Sequence, residues 1–383
     1  MSTFWQPLLA WTSVLLWLFL WLLPWRPWWP GPRLEPQGEG AEPNEAHLNE
    51  ITALVPARDE AQVLPTTLRA LKAQDAELRI VVVDDASSDG TARVARAALG
   101  PRGDVLRAAR RPEGWTGKLW ALEWGRRSVE TPWTLLLDAD IALAPGLVRA
   151  ALAKAREERI DLLSLMATPR METFWERLLM PAFVYFFQLL YPFRLSNTRL
   201  PWVAAAAGGF VLVRTALLER IGGFGALRGA LIDDCTLARR CKRAGARTWI
   251  GLSRSLHSVR RAGSLAALRD MVARTAFTQL GHSAFWLALV TGLMVLAFAV
   301  PVWASATPGL RMAGSAALIA MAASYLPTLR YYGRSVLWAP ALPLIGLLYL
   351  WMTWVSAWRH WRGRGATWRG RSYPGSAAGA GEP

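Results

Sequence analysis

The chain has 383 residues, with 44 Lys+Arg against 28 Asp+Glu and a formal net charge of +16. At 53% hydrophobic residues it is too apolar for a disordered chain, and its 22 Trp point to membrane–water interfaces rather than to an ordinary soluble enzyme. Two cysteines exclude a disulfide framework, and Cys235 and Cys241 read as buried thiols.

The first element is Phe4–Leu23, which carries no charge and ends in Pro24-Trp25-Arg26-Pro27-Trp28-Trp29. About 20 apolar residues span a bilayer core as a helix. No Lys or Arg precedes the run and no small-residue cleavage pattern follows it, so 1–29 read as a retained anchor, not a signal peptide. Arg26 and Arg33 follow it, which places the N-terminus outside and the next domain in the cytoplasm. Residues 30–49 are rich in Pro, Gly and Glu and read as a flexible linker.

Residues 50–281 read as one α/β domain. Ile51–Ala57 is a strand, Ala61–Ala73 a helix, and Leu78–Asp84 a strand built on Ile80-Val81-Val82-Val83. Asp89–Leu99 is a helix that Asp89 is placed to cap. Val105–Ala108 is a third strand, Lys118–Val129 a helix, and Trp133–Leu137 a buried strand. Uninterrupted apolar strands alternating with helices predict a mostly parallel sheet covered on both faces, with ligands beyond the carboxyl ends of its strands. Phe174–Phe193 is dense in aromatic residues and reads either as a core helix or as an interfacial helix near a lipid acceptor. Arg239, Arg240, Lys242, Arg243, Arg247, Arg254, Arg260 and Arg261 follow, as a solvated face or as attraction for anionic headgroups. Nucleic acid as a partner would leave the membrane runs and the acidic clusters unexplained.

Residues 282–358 hold three apolar runs: Ala284–Ala304, Met312–Leu329 and Val336–Trp358. Hydropathy favours three crossings. The basic tail 359–383, with Arg359, Arg362, Arg364, Arg369 and Arg371, favours two, because three put it outside. Three are adopted here, and the tail reads as disordered.

Three acidic clusters close strands or open a helix. Asp84-Asp85-Ala86-Ser87-Ser88-Asp89-Gly90-Thr91 follows the strand Ile80–Val83; Asp138-Ala139-Asp140 follows Trp133–Leu137; Asp233-Asp234 opens a helix over about Cys235–Arg243. Carboxylates at the end of a buried strand are costly unless a cation or hydrogen bonds meet them. An Asp-x-Asp pair can present oxygens to one Mg²⁺ or Mn²⁺ ion, with phosphate oxygens completing the shell. A dinucleotide fingerprint is missing after the first strand, and Gly114-Trp115-Thr116-Gly117-Lys118-Leu119 fails as a P-loop because Leu119 stands where Ser or Thr is required.

The stretch from about Ile51 to Leu256 resembles a family 2 glycosyltransferase of the GT-A fold. The matching pieces are Pro56-Ala57-Arg58-Asp59-Glu60, Asp84-Asp85 with Asp89-Gly90-Thr91, Gly117-Lys118 with Ala121-Leu122, Asp138-x-Asp140 and Asp233-Asp234, in the family's order. The C-terminal apolar runs and Ile232-Asp233-Asp234-Cys235 further resemble the hopene-associated membrane subgroup. The resemblance implies an α/β GT-A (Rossmann-like) domain between an N-terminal transmembrane anchor and C-terminal transmembrane helices. It implies that Pro56, Ala57, Arg58, Glu60, Asp84 and Asp85 hold the donor nucleotide of a nucleotide sugar, UDP-linked first of all. Asp138 would sit near ribose and metal, Asp140 would bind Mg²⁺ or Mn²⁺, Lys118 would contact the diphosphate, and Asp234 would be the general base with Asp233 beside it. One base opposite the leaving group implies inversion.

The Gln-x-x-Arg-Trp of processive members is absent; Arg274-Thr275-Ala276-Phe277-Thr278-Gln279 stands there, which argues for transfer of a single sugar. His257 stands near where a late metal-ligating His falls in some GT-A enzymes, and a lone His is more often structural. The leading expectation is a multi-pass inner-membrane transferase with a cytoplasmic catalytic domain and a lipid acceptor, hopanoid-related by the subgroup resemblance. The alternatives are a polyprenyl-phosphate sugar synthase, whose phosphate acceptor needs no base, and an inactive glycosyltransferase-like scaffold, which would be expected to lose Asp140 or Asp234.

Overall fold

The computed structural model describes residues 2–36, 47–230, 232–363, 367–368 and 371–372. Contacts divide the chain into two compact units. One is Gly31–Arg170 with Phe193–Arg261; the other is Met1–Pro30, Met171–Pro192 and Ala262–Pro383.

The first unit is α/β. Its strands are β1 (Ile51–Ala57), β2 (Arg79–Asp84), β3 (Gly103–Arg107), β4 (Trp133–Leu137), β5 (Ile141–Leu143), β6 (Leu162–Thr168), β7 (Phe210–Arg214) and β8 (Thr248–Ser258). They form one mixed sheet in the order β3-β2-β1-β4-β7-β6-β8-β5. The pairs β1–β2, β1–β4, β2–β3 and β6–β8 are parallel, while β7 runs antiparallel to β4 and β6, and β5 antiparallel to β8. Every residue of β1 and β4 is buried, as unbroken apolar strands covered on both faces require. Because β1, β2 and β4 share a direction, Ala57, Asp84 and Asp138 emerge at the same edge. This is the α/β GT-A architecture that the sequence implies, with an antiparallel strand in the middle of the sheet.

The helix read over Ala61–Ala73 starts later, at Leu64, because Pro65 lacks an N–H and fits only in the first turn. The helix read over Asp89–Leu99 begins at Thr91 with Gly90, not Asp89, at its N-cap; Asp89 lies one residue earlier and accepts from the Thr91 N–H (3.0 Å) and the Ala61 N–H (3.0 Å). Both cysteines are buried, and neither is in a disulfide.

The segment 30–49 does not behave throughout as a free spacer. The Leu34 N–H donates to Leu252 O (3.0 Å) and the Leu252 N–H to Pro32 O (2.8 Å), so Gly31–Pro36 lies along β8. The Glu35 carboxylate accepts from the Arg254 and Ser255 N–H groups and from both the Ser253 and Ser255 hydroxyls. A composition rich in Pro and Gly reads as a spacer, but Pro also favours the extended backbone that a strand edge accepts. Residues 37–46 lie outside the described residues, as does most of the tail; within the tail, Thr367–Trp368 pairs antiparallel with Arg371–Ser372.

The second unit is helical. Among the described residues, four of its helices are long and apolar enough to cross a membrane: Trp5–Leu22, Ala284–Ala306, Arg311–Tyr331 and Val336–Trp361. The aromatic helix Phe174–Leu190 joins them, opened by a capping box between Thr173 and Glu176. Tyr185 is fully buried and shares a hydrogen bond with Ser324 (2.8 Å), and the Tyr349 hydroxyl donates to Leu179 O (2.9 Å). The Trp17 indole donates to Ala297 O (3.0 Å), the carbonyl to which Pro301 has no N–H to return, and Trp21 donates to Ala320 O (3.0 Å). The N-terminal helix is therefore a packed member of this unit. Small residues let its backbones close up: a methyl added at Gly314 would lie 2.1 Å from Ser305 N.

Candidate active site

The carboxyl edge of β1 and β4 faces the first turn of the helix Asp233–Arg243, across an open cleft of about 360 Å³ lined by Pro56, Lys118, Asp138, Gly208, Asp233 and Asp234. Lys118, in the first turn of the helix Gly117–Arg126, is at its centre. Thr116 caps that helix by accepting from the Leu119 N–H (3.3 Å). The Lys118 ammonium lies 2.8 Å from Asp138 Oδ1 and 3.7 Å from Asp233 Oδ2. Burial works against its charge, but Asp138 and Asp233 outweigh it and hold Lys118 protonated well above its usual range.

Asp234 receives backbone N–H groups on both oxygens: Cys235 on Oδ1 (2.7 Å) and Gly208 on Oδ2 (2.9 Å). Burial, reinforced by the charge of Asp233, pushes its carboxyl up to about 6, against the pull of Lys118 and of the two N–H groups. Asp138 is also raised, by burial and by the charges of Asp140 and Asp233, with Lys118 opposing. An Asp pair in the first turn suits the helix dipole, and Arg240, Lys242 and Arg243 balance the last turn.

Asp140 turns to a different partner. Its Oδ2 lies 2.6 Å from Arg260 Nε, and Arg260 Nη2 lies 2.6 Å from Glu60 Oε1. The Val259 N–H donates to Asp140 O (2.8 Å), tying the end of β8 to the Asp138–Asp140 turn. His257 is exposed on β8, and Asp140 is reached instead by Arg260 and by the Ser258 hydroxyl. The remaining donor residues form a third group. Arg58 Nη1 donates to Asp85 O (2.6 Å) and sits 3.6 Å from Asp85 Oδ2. Asp85 N–H donates to Ala57 O (2.9 Å), and Asp84 Oδ1 accepts from Ser87 N–H (3.3 Å). Asp59 and Ala86 hold positive φ in the two loops of this group, a conformation that costs a non-glycine residue about 1–2 kcal/mol.

The structure thus brings Pro56, Lys118, Asp138, Asp233 and Asp234 to one cleft, and joins Glu60 to Asp140 through Arg260. Gly208 and Arg260 have no part in the sequence motifs. Gly208 lies close against Lys118 and Asp234, since a Cβ there would lie 3.2 Å from Lys118 Nζ and 3.4 Å from Asp234 Oδ2. Among the described residues no group of three or more His, Cys, Asp or Glu stands together, but the two carboxylates of this short turn are hard oxygen donors of the kind that hold Mg²⁺ or Mn²⁺ when phosphate oxygens and water complete the shell.

Among solved structures, the chain is similar to the mannosyltransferase PcManGT from Pyrobaculum calidifontis in complex with GDP-Man and Mn²⁺, at 20% identity and a TM-score of 0.48 over 93% of this chain and 96% of that one. It is also similar to glucosyl-3-phosphoglycerate synthase from Mycobacterium tuberculosis, at 19% identity and a TM-score of 0.42 over 66% and 88% of the two chains. In sequence it is 31% identical over 93 residues to a 4,4'-diaponeurosporenoate glycosyltransferase of Staphylococcus haemolyticus. That match spans 24% of each chain, so this chain covers about a quarter of that curated relative's length. Residues 49–278, more than half of the chain, match the model of Glycosyltransferase like family 2, and the chain belongs to that family.

Proposed function

We propose that this protein is a membrane-embedded, inverting glycosyltransferase that moves one sugar from a nucleotide-sugar donor, UDP-linked first of all, to the hydroxyl of a membrane lipid. The observation that carries the reading is Asp234: a carboxylate with its pKa lifted to about 6, beside Lys118 and Asp138, in a chain with four helices apolar enough to cross a bilayer. A base with a pKa near the working pH is the efficient one. The hopanoid alcohol suggested by the subgroup resemblance is the first acceptor to test, and the catalytic unit is proposed to face the cytoplasm of a bacterial inner membrane.

In this reading Arg58, Glu60, Asp84 and Asp85 bind the nucleoside end of the donor, with Pro56 and Ala57 shaping its bed. Lys118 steadies the diphosphate. Asp138 and Asp140 would hold a divalent cation, which supplies charge stabilisation to the departing diphosphate when bound. Asp234 takes the proton of the acceptor hydroxyl as that oxygen bonds to the anomeric carbon, and the bond to the diphosphate oxygen breaks on the opposite face. Gly208 and Cys235 orient Asp234 through their N–H groups, and Asp233 raises its basicity.

The test is purified protein in nanodiscs with a panel of UDP- and GDP-sugars and a total lipid extract. Expected is a glycolipid of inverted anomeric configuration, formed only with Mg²⁺ or Mn²⁺ and lost in Asp140→Ala. Transfer at full rate in excess chelator would remove the cation from the reading; transfer to a soluble acceptor alone would remove the lipid.

A further inference from the structure

Asp138 and Asp140 stand one residue apart, yet they face different cations of the chain. The Arg260 guanidinium bridges Asp140 and Glu60 with two hydrogen bonds of 2.6 Å. Ser258 Oγ lies 3.5 Å from the same Asp140 oxygen. Glu60 is 7% exposed, and the guanidinium places a positive charge against its buried carboxylate. Arg260 is partly exposed, 39% by side chain, and so has solvent into which to swing.

We propose that Arg260 is a resident counter-cation of the Asp140–Glu60 pair which a divalent cation must displace, and that a nucleoside diphosphate makes the displacement favourable by offering Arg260 a new anionic partner. The inference rests on the cation proposed at Asp138 and Asp140. The charge count supports it. A divalent ion arriving alone replaces one guanidinium charge at Asp140 and sends Arg260 into water, with two charge-assisted bonds lost. An ion arriving with a diphosphate lets the guanidinium exchange two carboxylate bonds for phosphate bonds, for which its planar fork is suited. Metal and nucleotide then bind cooperatively, by linkage through one side chain.

Mn²⁺ binding, read by electron paramagnetic resonance on purified protein with and without UDP or GDP, tests this without any turnover. In the wild type the nucleotide is expected to tighten Mn²⁺ binding about tenfold or more, within the usual range of coupling between sites. In Arg260→Gln, Mn²⁺ alone is expected to bind about tenfold tighter than in the wild type, and the gain from nucleotide to shrink to about threefold or less. Arg260→Lys, which keeps the charge but not the fork, is expected to fall between the two. If Arg260→Gln binds Mn²⁺ alone no tighter than the wild type while the wild type does bind it, the counter-cation role is wrong and the cation site stands. If the wild type binds no Mn²⁺ with either nucleotide, the cation site itself fails, and this inference with it.

Discussion

With its carboxyl pushed up to about 6, Asp234 in its proposed role as base is mostly ionised only above that value. Its usual value of 3.8 is lower, so the shift moves the acid limb of the reaction upward in pH. Below pH 6 the ionised fraction falls about tenfold per unit, and kcat/KM is expected to fall with it; a profile flat down to pH 4.5 would exclude Asp234 as the base. Asp234→Asn is expected to bind nucleotide normally and to turn over about 10²–10⁴-fold more slowly. Gly208→Ala should crowd Lys118 and Asp234 together and lower kcat about tenfold or more, with an unchanged melting temperature. Wild-type kinetics in that variant would free Gly208 of any positioning role. At this scale the sequence was informative wherever a carboxylate broke a run of β-formers, as at Asp84 and Asp138. Gly208 and Arg260 escaped because each acts on a partner far along the chain, Asp234 and Asp140, and neither belongs to a local pattern.

Among elements, β1, β2 and β4 were legible because they are short, mostly apolar and closely followed by acidic residues. No local signal specified that β7 would insert antiparallel between β4 and β6, since that depends on pairing at long range. The strap Gly31–Pro36 was read as a spacer for the same reason: Glu35 finds its donors on β8. Glu35→Ala is expected to destabilise the α/β unit by about 1 kcal/mol, because partly buried donors lose a charged acceptor. Hydrogen exchange at Arg254 and Ser255 would report it, and unchanged protection there would show the strap to be incidental. In the helical unit, Gly314→Ala sets a methyl 2.1 Å from the backbone N of Ser305, where no rotamer relieves it. Lower detergent-resistant stability is expected; equal stability would mean that the two helices separate freely.

For the whole molecule, the four candidate spans and the placement of Arg26 and Arg33 set a topology that labelling can read. Cys235 and Cys241 are buried, so single cysteines can be introduced against a quiet background. Glu130→Cys is exposed on the α/β unit and is expected to be shielded from an impermeant reagent in intact cells and to react after they are opened. Reaction in intact cells would overturn the cytoplasmic placement. Ser372→Cys is expected to label from outside if three C-terminal helices cross; shielding would mean two.

The two units are interleaved along the chain, since Met171–Pro192 leaves the sheet-bearing part and Phe193 returns to it. That order has a consequence for how the protein is made. Asp84, Asp85, Lys118, Asp138 and Asp140 leave the ribosome before the excursion; Gly208, Asp233, Asp234 and Arg260 leave after it. The sheet itself stays open at β4 and β6 until β7 arrives to join them. A nascent chain stalled before residue 210 therefore holds Asp84, Asp85, Lys118, Asp138 and Asp140 without Asp233 and Asp234, beside an unfilled strand position of the kind that invites mispairing. Biogenesis of this transferase is tied to the timing of a single helix, Phe174–Leu190, and no truncation at either terminus can release the α/β unit as a continuous piece.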